Sequence, residues 1–154
     1  MRRDSRLSGV LHVLVHMLRA EQDTAIPSEK LAELMATNPV VLRRIFAGLR
    51  EAGFISSEKG HGGGWRIACD PAKVTLAEIY EAVGSPALLA IGHRTEAPGC
   101  VVEQSVNAAL GKTFEVAEAL VLARLQEVTL TDLVLDVDHR WQKKKDKKEH
   151  RDDV

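Results

Sequence analysis

Residues 59–68 read KGHGGGWRIA and hold the densest chemistry in the chain: Lys59, His61, three consecutive glycines, Trp65 and Arg66 lie within a few positions of one another. His-Gly-Gly-Gly serves some esterases as an oxyanion loop. Those enzymes also need a G-x-S-x-G elbow on an α/β sheet, and no Ser here has that setting. Turnover of an ester is therefore the weakest of the readings. A phosphate-binding loop needs G-x-x-x-x-G-K-[ST], which is absent. What remains is the tip of a hairpin, where glycine supplies positive φ and lets another backbone come close. Lys59, His61 and Arg66 then surround the tip, with Gly62 and Gly63 in it and Trp65 at its base. A surface hairpin with no ligand stays open as the alternative.

Two other sets of residues could do chemistry. Arg43 and Arg44 fall in a segment with helical periodicity, NPVVLRRIFAGLREAG. Leu42, Ile45, Phe46 and Leu49 form one stripe of it; Val40, Arg43, Arg44 and Ala47 form the opposite one. Two arginines among small residues can approach a groove of duplex DNA, and Arg can pair with guanine O6 and N7 or bind phosphate. A solvated helix face is the alternative. His12 and His16 are four apart, a spacing able to hold a metal. No carboxylate or thiol accompanies them nearby in sequence, so no metal site is expected.

The elements that must position these residues follow from periodicity and caps. Leu7, Leu11, Leu14 and Leu18 predict a first helix over about residues 5–21. Ser28 can cap a short second helix, EKLAELMA. Asn38 can cap a third, with Pro39 at its first position and Gly53 just past its end. FISSEKG and WRIAC read as two strands around the glycines. Thr75 and Glu78 form a capping box for a fourth helix that stops at Gly84. Residues 85–100 read as loop. Apolar positions from Val102 to Val128 then predict a helix of roughly 25 residues, on the order of 40 Å long, with a break possible at Gly111. TLTDLVLDV offers one more short capped helix, and QKKKDKKEHRDDV a solvated or disordered tail whose lysines could add non-specific attraction to phosphate. Helix, helix, turn, helix and hairpin is the order of a winged helix-turn-helix.

Composition bounds the rest. With 154 residues and 45% hydrophobic content, the chain suits about one globular domain. The net charge of −1 divides into +2 over residues 1–70, −6 over 71–138 and +3 over 139–154. A mildly basic first half beside an acidic middle suits one part that faces an anion and one that does not. Cys69 and Cys100 are the only cysteines, too few for a disulfide scaffold or a four-thiolate zinc site. His12 and His16 interrupt the apolar run near the start, so a signal peptide is not expected. No stretch approaches the ~20 apolar residues of a membrane span. A cytoplasmic protein that is not an enzyme is the expectation.

NPVVLRRIFAGLREAGFISSEKGHGGGWRIACDPAKVTLAEIYEAV resembles the Rrf-two (BadM-type) winged-helix transcription regulators, and the similarity continues through GCVVEQSVNAALGKTFEVAEALVLARLQEVTLTDL. It spans about residues 5–135, and its most specific part is the glycine-rich wing followed by VTLAEIYEAV. The resemblance implies a mainly α fold with a small β-hairpin: a winged helix-turn-helix plus a long dimerisation helix. It divides the chain into a DNA-binding domain (1–83), a linker or sensor loop (84–100), dimerisation helices (101–138) and a charged tail (139–154). It implies a homodimeric, sequence-specific DNA-binding repressor that addresses double-stranded DNA at a near-palindromic operator. The DNA-facing set is Ser28, Asn38, Val40, Arg43, Arg44, Lys59, His61, Gly62, Gly63 and Trp65. A winged-helix module that binds protein instead of DNA is the alternative.

Sensing branches of that family place three cysteines in the loop before the long helix, where they hold an iron–sulfur cluster. Here that loop has Cys100 alone, so no cluster and no other cofactor is expected. A thiol beside a helix N-terminus favours thiolate, which makes Cys100 a candidate redox sensor; an inert bystander is the alternative.

Overall fold

The computed structural model describes residues 4–20, 24–89, 91–93 and 95–152. Residue 21, where the first helix was expected to end, and the last two residues of the charged tail lie outside that set. The described elements are α1 (Arg6–Arg19), α2 (Ser28–Leu34), α3 (Pro39–Glu51), β1 (Ile55–Glu58), β2 (Gly64–Ile67), α4 (Leu76–Ala82), α5 (Val101–Gln126) and α6 (Leu130–Asp152). The mainly α fold with a small β-hairpin expected from the sequence is the fold observed.

Local chemistry explains where the helices start. The Asn38 side-chain oxygen accepts from the backbone N–H groups of Val40 (3.1 Å) and Val41 (3.0 Å), with Pro39 at the first helical position. The box at α4 closes in both directions: Thr75 N–H donates to the Glu78 carboxylate (2.8 Å), and Glu78 N–H donates to the Thr75 hydroxyl (3.3 Å). Thr129 and Asp132 repeat that reciprocal arrangement at the start of α6.

α1, α2 and α3 bury one shared core. Val10, Val13, Leu14 and Met17 of α1 meet Leu31 and Ala32 of α2 and Leu42, Phe46 and Leu49 of α3. Phe46 packs edge to face on Trp65, with ring centroids 5.2 Å apart. β1 and β2 pair antiparallel, Ile55 opposite Ile67 and Glu58 opposite Gly64. Ile26 adds a third rung from the far side: its N–H donates to Trp65 C=O (3.0 Å), and its C=O accepts from Trp65 N–H (2.9 Å). Trp65 is thus the centre of the small sheet and the roof of the helical core. Gly64 is required there, because a side chain would collide with the Ile26 carbonyl and its φ is +150°.

Four expectations need correction. Ser28 does not cap α2; Pro27 holds that position, and Ser28 is the first helical residue with its hydroxyl turned inward. Gly111 does not break α5, which is continuous over 26 residues; it lies under His93, whose ring packs near Phe114. The last capped helix is not short, and residues 139–152 of the tail are helical where no helix was expected, for α6 continues to Asp152. Lys and Glu are good helix formers, and an i,i+4 pair such as Asp136–Arg140 (2.6 Å) supports the exposed stretch.

The segment between α5 and α6 returns to the winged part of the molecule. Leu130 is fully buried in the α1–α3 core, and backbone hydrogen bonds join Leu76 to Val128 and Leu130 to Val74. Arg19 at the end of α1 pairs with Asp138 (2.9 Å) and lies over the Trp141 ring, fastening α6 to α1.

Candidate nucleic-acid interface

α3 buries Leu42, Phe46 and Leu49, so its opposite face must look outward. Val40, Arg43 and Arg44 are exposed along it, Val40 at 64%. Exposure of an apolar residue at that level on a helix with a satisfied core suits a face waiting for a ligand. The two arginines do not share one position. Arg43 lines a groove of about 490 Å³ between α2, α3 and the hairpin, together with Arg50, Ser57 and Lys59. Arg44 lines the opposite flank, beside Arg6 and the end of α4 at Ala82. The stripe read from the sequence is therefore a ridge, with Val40 near its crest and one arginine on each slope.

The hairpin extends this surface. Lys59 and His61 are exposed at the tip, and Gly62 takes φ of +76°, a turn conformation open to glycine. Arg66 points back along the strands and donates to Glu58 (2.8 Å), which commits it to bracing the hairpin. Asn38 uses its side-chain oxygen as the α3 cap and is exposed, so its amide N–H groups are the part able to meet a phosphate.

Ser28 and Trp65 line the floor of the same groove and expose little surface in it. Both are buried, Trp65 at 5% exposure, and the indole N–H donates to the Ser28 hydroxyl (3.0 Å). A buried Trp needs a partner for its N–H, and Ser28 supplies it. These two residues hold α2, α3 and the hairpin in register from inside.

Arg50 was missed. It lies seven residues after Arg43, two helical turns along the same flank, and shares its groove. Extending the Val40–Ala47 stripe by one turn would have found it. Glu29 was missed as well: its carboxylate pairs with Arg43 at 3.3 Å.

The other candidates lie away from this face. His12 and His16 bring their Nε2 atoms to 3.0 Å on the exposed face of α1. Partial burial, then the neighbouring His12 and Arg19 charges, hold His16 below its ordinary value. Cys100 is exposed at the N-cap position of α5, with no hydrogen bond from its side chain to the helix. Cys69 is half-buried after β2, where burial pushes its thiol up and the nearby Asp70 and Glu78 charges add to the shift.

No helix among the described residues is long and apolar enough to cross a membrane. α5 nevertheless buries none of its residues and exposes Val102, Val106, Leu110, Val116 and Leu120.

Comparison with known proteins agrees with this geometry. The model of the Rrf2 family, described as an iron-dependent transcriptional regulator, matches residues 3–136. YwnA of Bacillus subtilis (strain 168), named as an HTH-type transcriptional regulator, is 32% identical over 131 residues, covering 85% of this chain and 96% of its own. IscR of Vibrio campbellii (strain ATCC BAA-1116) is 27% identical over 77 residues, 50% of this chain and 44% of its own. Two solved structures share the fold. T. potens IscR has a TM-score of 0.62 at 18% identity, covering 89% of this chain and 88% of its own. Staphylococcus aureus CymR has 0.61 at 18%, covering 85% and 96%.

The family's description implies iron, and the donor set can be tested against it. The chain's two thiols stand far apart in sequence, one after β2 and one at the N-cap of α5. Among the described residues no three His, Cys, Asp or Glu side chains converge. One subunit does not supply the ligands of a cysteine-held cluster. The order of elements, the exposed third helix beside a glycine-tipped wing, and a match over nearly the whole length point one way: the chain belongs to the Rrf2 family of transcriptional regulators, which are not enzymes.

Proposed function

We propose that the chain is a homodimeric repressor that binds a near-palindromic DNA operator in the cytoplasm. α3 lies in the major groove and the wing rests on the adjacent backbone or minor groove. The observation that carries this reading is the α3 ridge, apolar at Val40 and basic on both slopes. Arg43 and Arg44 read base edges. Asn38, Arg50, Lys59 and His61 hold phosphates, and the glycines at the tip let the backbone approach. Residues 1–83 with the returning segment near Leu130 form the DNA-binding part, residues 84–100 a linker, and α5 the pairing element.

Selection of duplexes from a random pool by the full-length protein tests it. The expected result is an enriched near-palindrome with half-sites about one helical turn apart and affinity that falls steeply with salt. A pool that stays random at low salt would leave a protein-binding winged module in its place.

The pairing role of α5 makes a separate prediction. Val116 and Leu120 are one turn apart and strongly exposed, so Lys at both should leave the monomer folded. A two-fold interface counts each loss twice. At about 1.5 kcal/mol or more per apolar side chain, dimer affinity should fall more than about a hundredfold. Sedimentation should show a monomer at low micromolar concentration, and an unchanged dimer would remove α5 from that role.

A redox input at Cys100 belongs to the same reading, because the exposed thiol sits where the linker meets α5. At pH 7.5 a small maleimide should label Cys100 about tenfold faster than Cys69, whose burial disfavours the thiolate. Equal rates would withdraw Cys100 as the sensor.

A further inference from the structure

Within the DNA-facing groove two carboxylates, Glu29 and Glu58, stand where a phosphate-binding surface would seek only cations, and Glu58 is taken up by Arg66 of the hairpin. Glu29, in the first turn of α2, reaches Arg43 of α3 at 3.3 Å, and both side chains stay about half or more exposed, Arg43 at 53% and Glu29 at 66%. Arg50 and Lys59 line the same groove, and among the described residues neither is in an ion pair. The groove therefore carries one arginine that is held and two cations that are not. From this we infer that Glu29 is a specificity-determining residue that acts through Arg43, an inference that rests on the DNA-binding reading above.

The ordering of magnitudes decides what such a hold does. An exposed ion pair is worth up to about fivefold in an equilibrium. A bidentate contact of Arg with a guanine edge is worth about five- to more than a hundredfold against the wrong base. A single phosphate contact is a weaker, salt-screened rival. The pair stabilises the free protein and must open fully when Arg43 takes a base edge. On random DNA Glu29 and a phosphate share Arg43, so Glu29 lowers specific affinity more than random affinity and tempers the preference. Arg50 and Lys59, which Glu29 does not hold, supply the sequence-independent attraction. Glu29 also sits where the α2 dipole favours a negative charge, so the test must separate that structural role from the hold on Arg43.

The experiment uses the full-length protein, the duplex recovered by selection and a random duplex of equal length, titrated over a range of salt. Glu29→Ala should tighten binding to the selected duplex about three- to fivefold, because the ion pair no longer has to open. Binding to the random duplex should tighten less than about twofold, because a phosphate there draws Arg43 only partly away from Glu29. Glu29→Asp keeps the charge near the helix start and loses the reach to Arg43, and it should behave like Ala. In an Arg43→Ala background neither change should alter the ratio of selected to random binding. A change of equal size in that background would show plain charge repulsion by Glu29 and overturn the inference, as would an unchanged ratio in Glu29→Ala itself. Failure of the wild-type protein to enrich any duplex would sink the DNA-binding reading, and this inference with it; enrichment with a silent Glu29 would sink this inference alone.

Discussion

Reversing Arg43 and Arg44 to Glu together removes sequence-specific DNA binding while the protein stays folded. Both side chains are exposed on the outer face of α3, so neither contributes to the Leu42–Phe46–Leu49 core, and surface changes of this kind cost within about 0.5 kcal/mol of stability. The effect on binding is far larger. Each arginine that reads a base edge contributes about 1–3 kcal/mol of discrimination, and reversal adds repulsion from the phosphates. Specific binding exceeds random binding by about a thousandfold or more in regulators of this kind, and the double reversal should consume that margin entirely. The two arginines lie on opposite slopes of the ridge, beside different neighbours. The single variants Arg43→Ala and Arg44→Ala should therefore relax the preference at different base pairs of the half-site. Repeating the duplex selection with each variant checks this. An unaltered preferred sequence in both would remove α3 from base reading.

Some of this was legible in the sequence, and the reason differs from residue to residue. The α3 cap at Asn38 and the α4 box at Thr75 and Glu78 depend on side chains bonding to backbone two or three positions away, so local sequence carries them whole. The wing was legible for a similar reason, since three glycines between short strands leave few other conformations. The end of α2 was not. Ala36 takes φ of +53° in the turn before α3, a conformation that disfavours any residue with a Cβ, and with no glycine to mark it the helix read two residues too long. Ser28 misled because a Ser before an apolar run signals an N-cap, while its actual partner, the Trp65 indole, is 37 residues away. The return of Leu130 to the core and the hold of Glu29 on Arg43 are contacts between distant segments, which no local period encodes. The separation of Arg43 from Arg44 is a matter of what packs on either side of α3, and a helical wheel cannot show it.

Trp65→Ala should cost more stability than any change on the DNA-facing ridge, and it should lose DNA binding as a consequence of that loss. Removing a buried Trp or Phe costs about 3–5 kcal/mol. Here the Phe46 ring loses its edge-to-face partner, and the Ser28 hydroxyl is left buried without the indole N–H, which adds about 1–3 kcal/mol where no water replaces it. Against a total stability of about 5–15 kcal/mol for a folded domain, that leaves little margin. The melting temperature of a chain this size should fall by roughly 10–20 °C at matched protein concentration. Trp65→Phe keeps a ring against Phe46 and loses the N–H donor, so it should recover most of the difference. The comparison also decides between two roles for the same residue. A Trp65 that touched DNA would, on truncation, lose affinity with its melting temperature unchanged, as Arg43→Ala is expected to do. A Trp65 that holds α2, α3 and the hairpin together loses both at once, and Trp65→Phe restores both at once, because the position of Arg43 over the groove depends on Phe46, one turn along α3, having a ring to pack against.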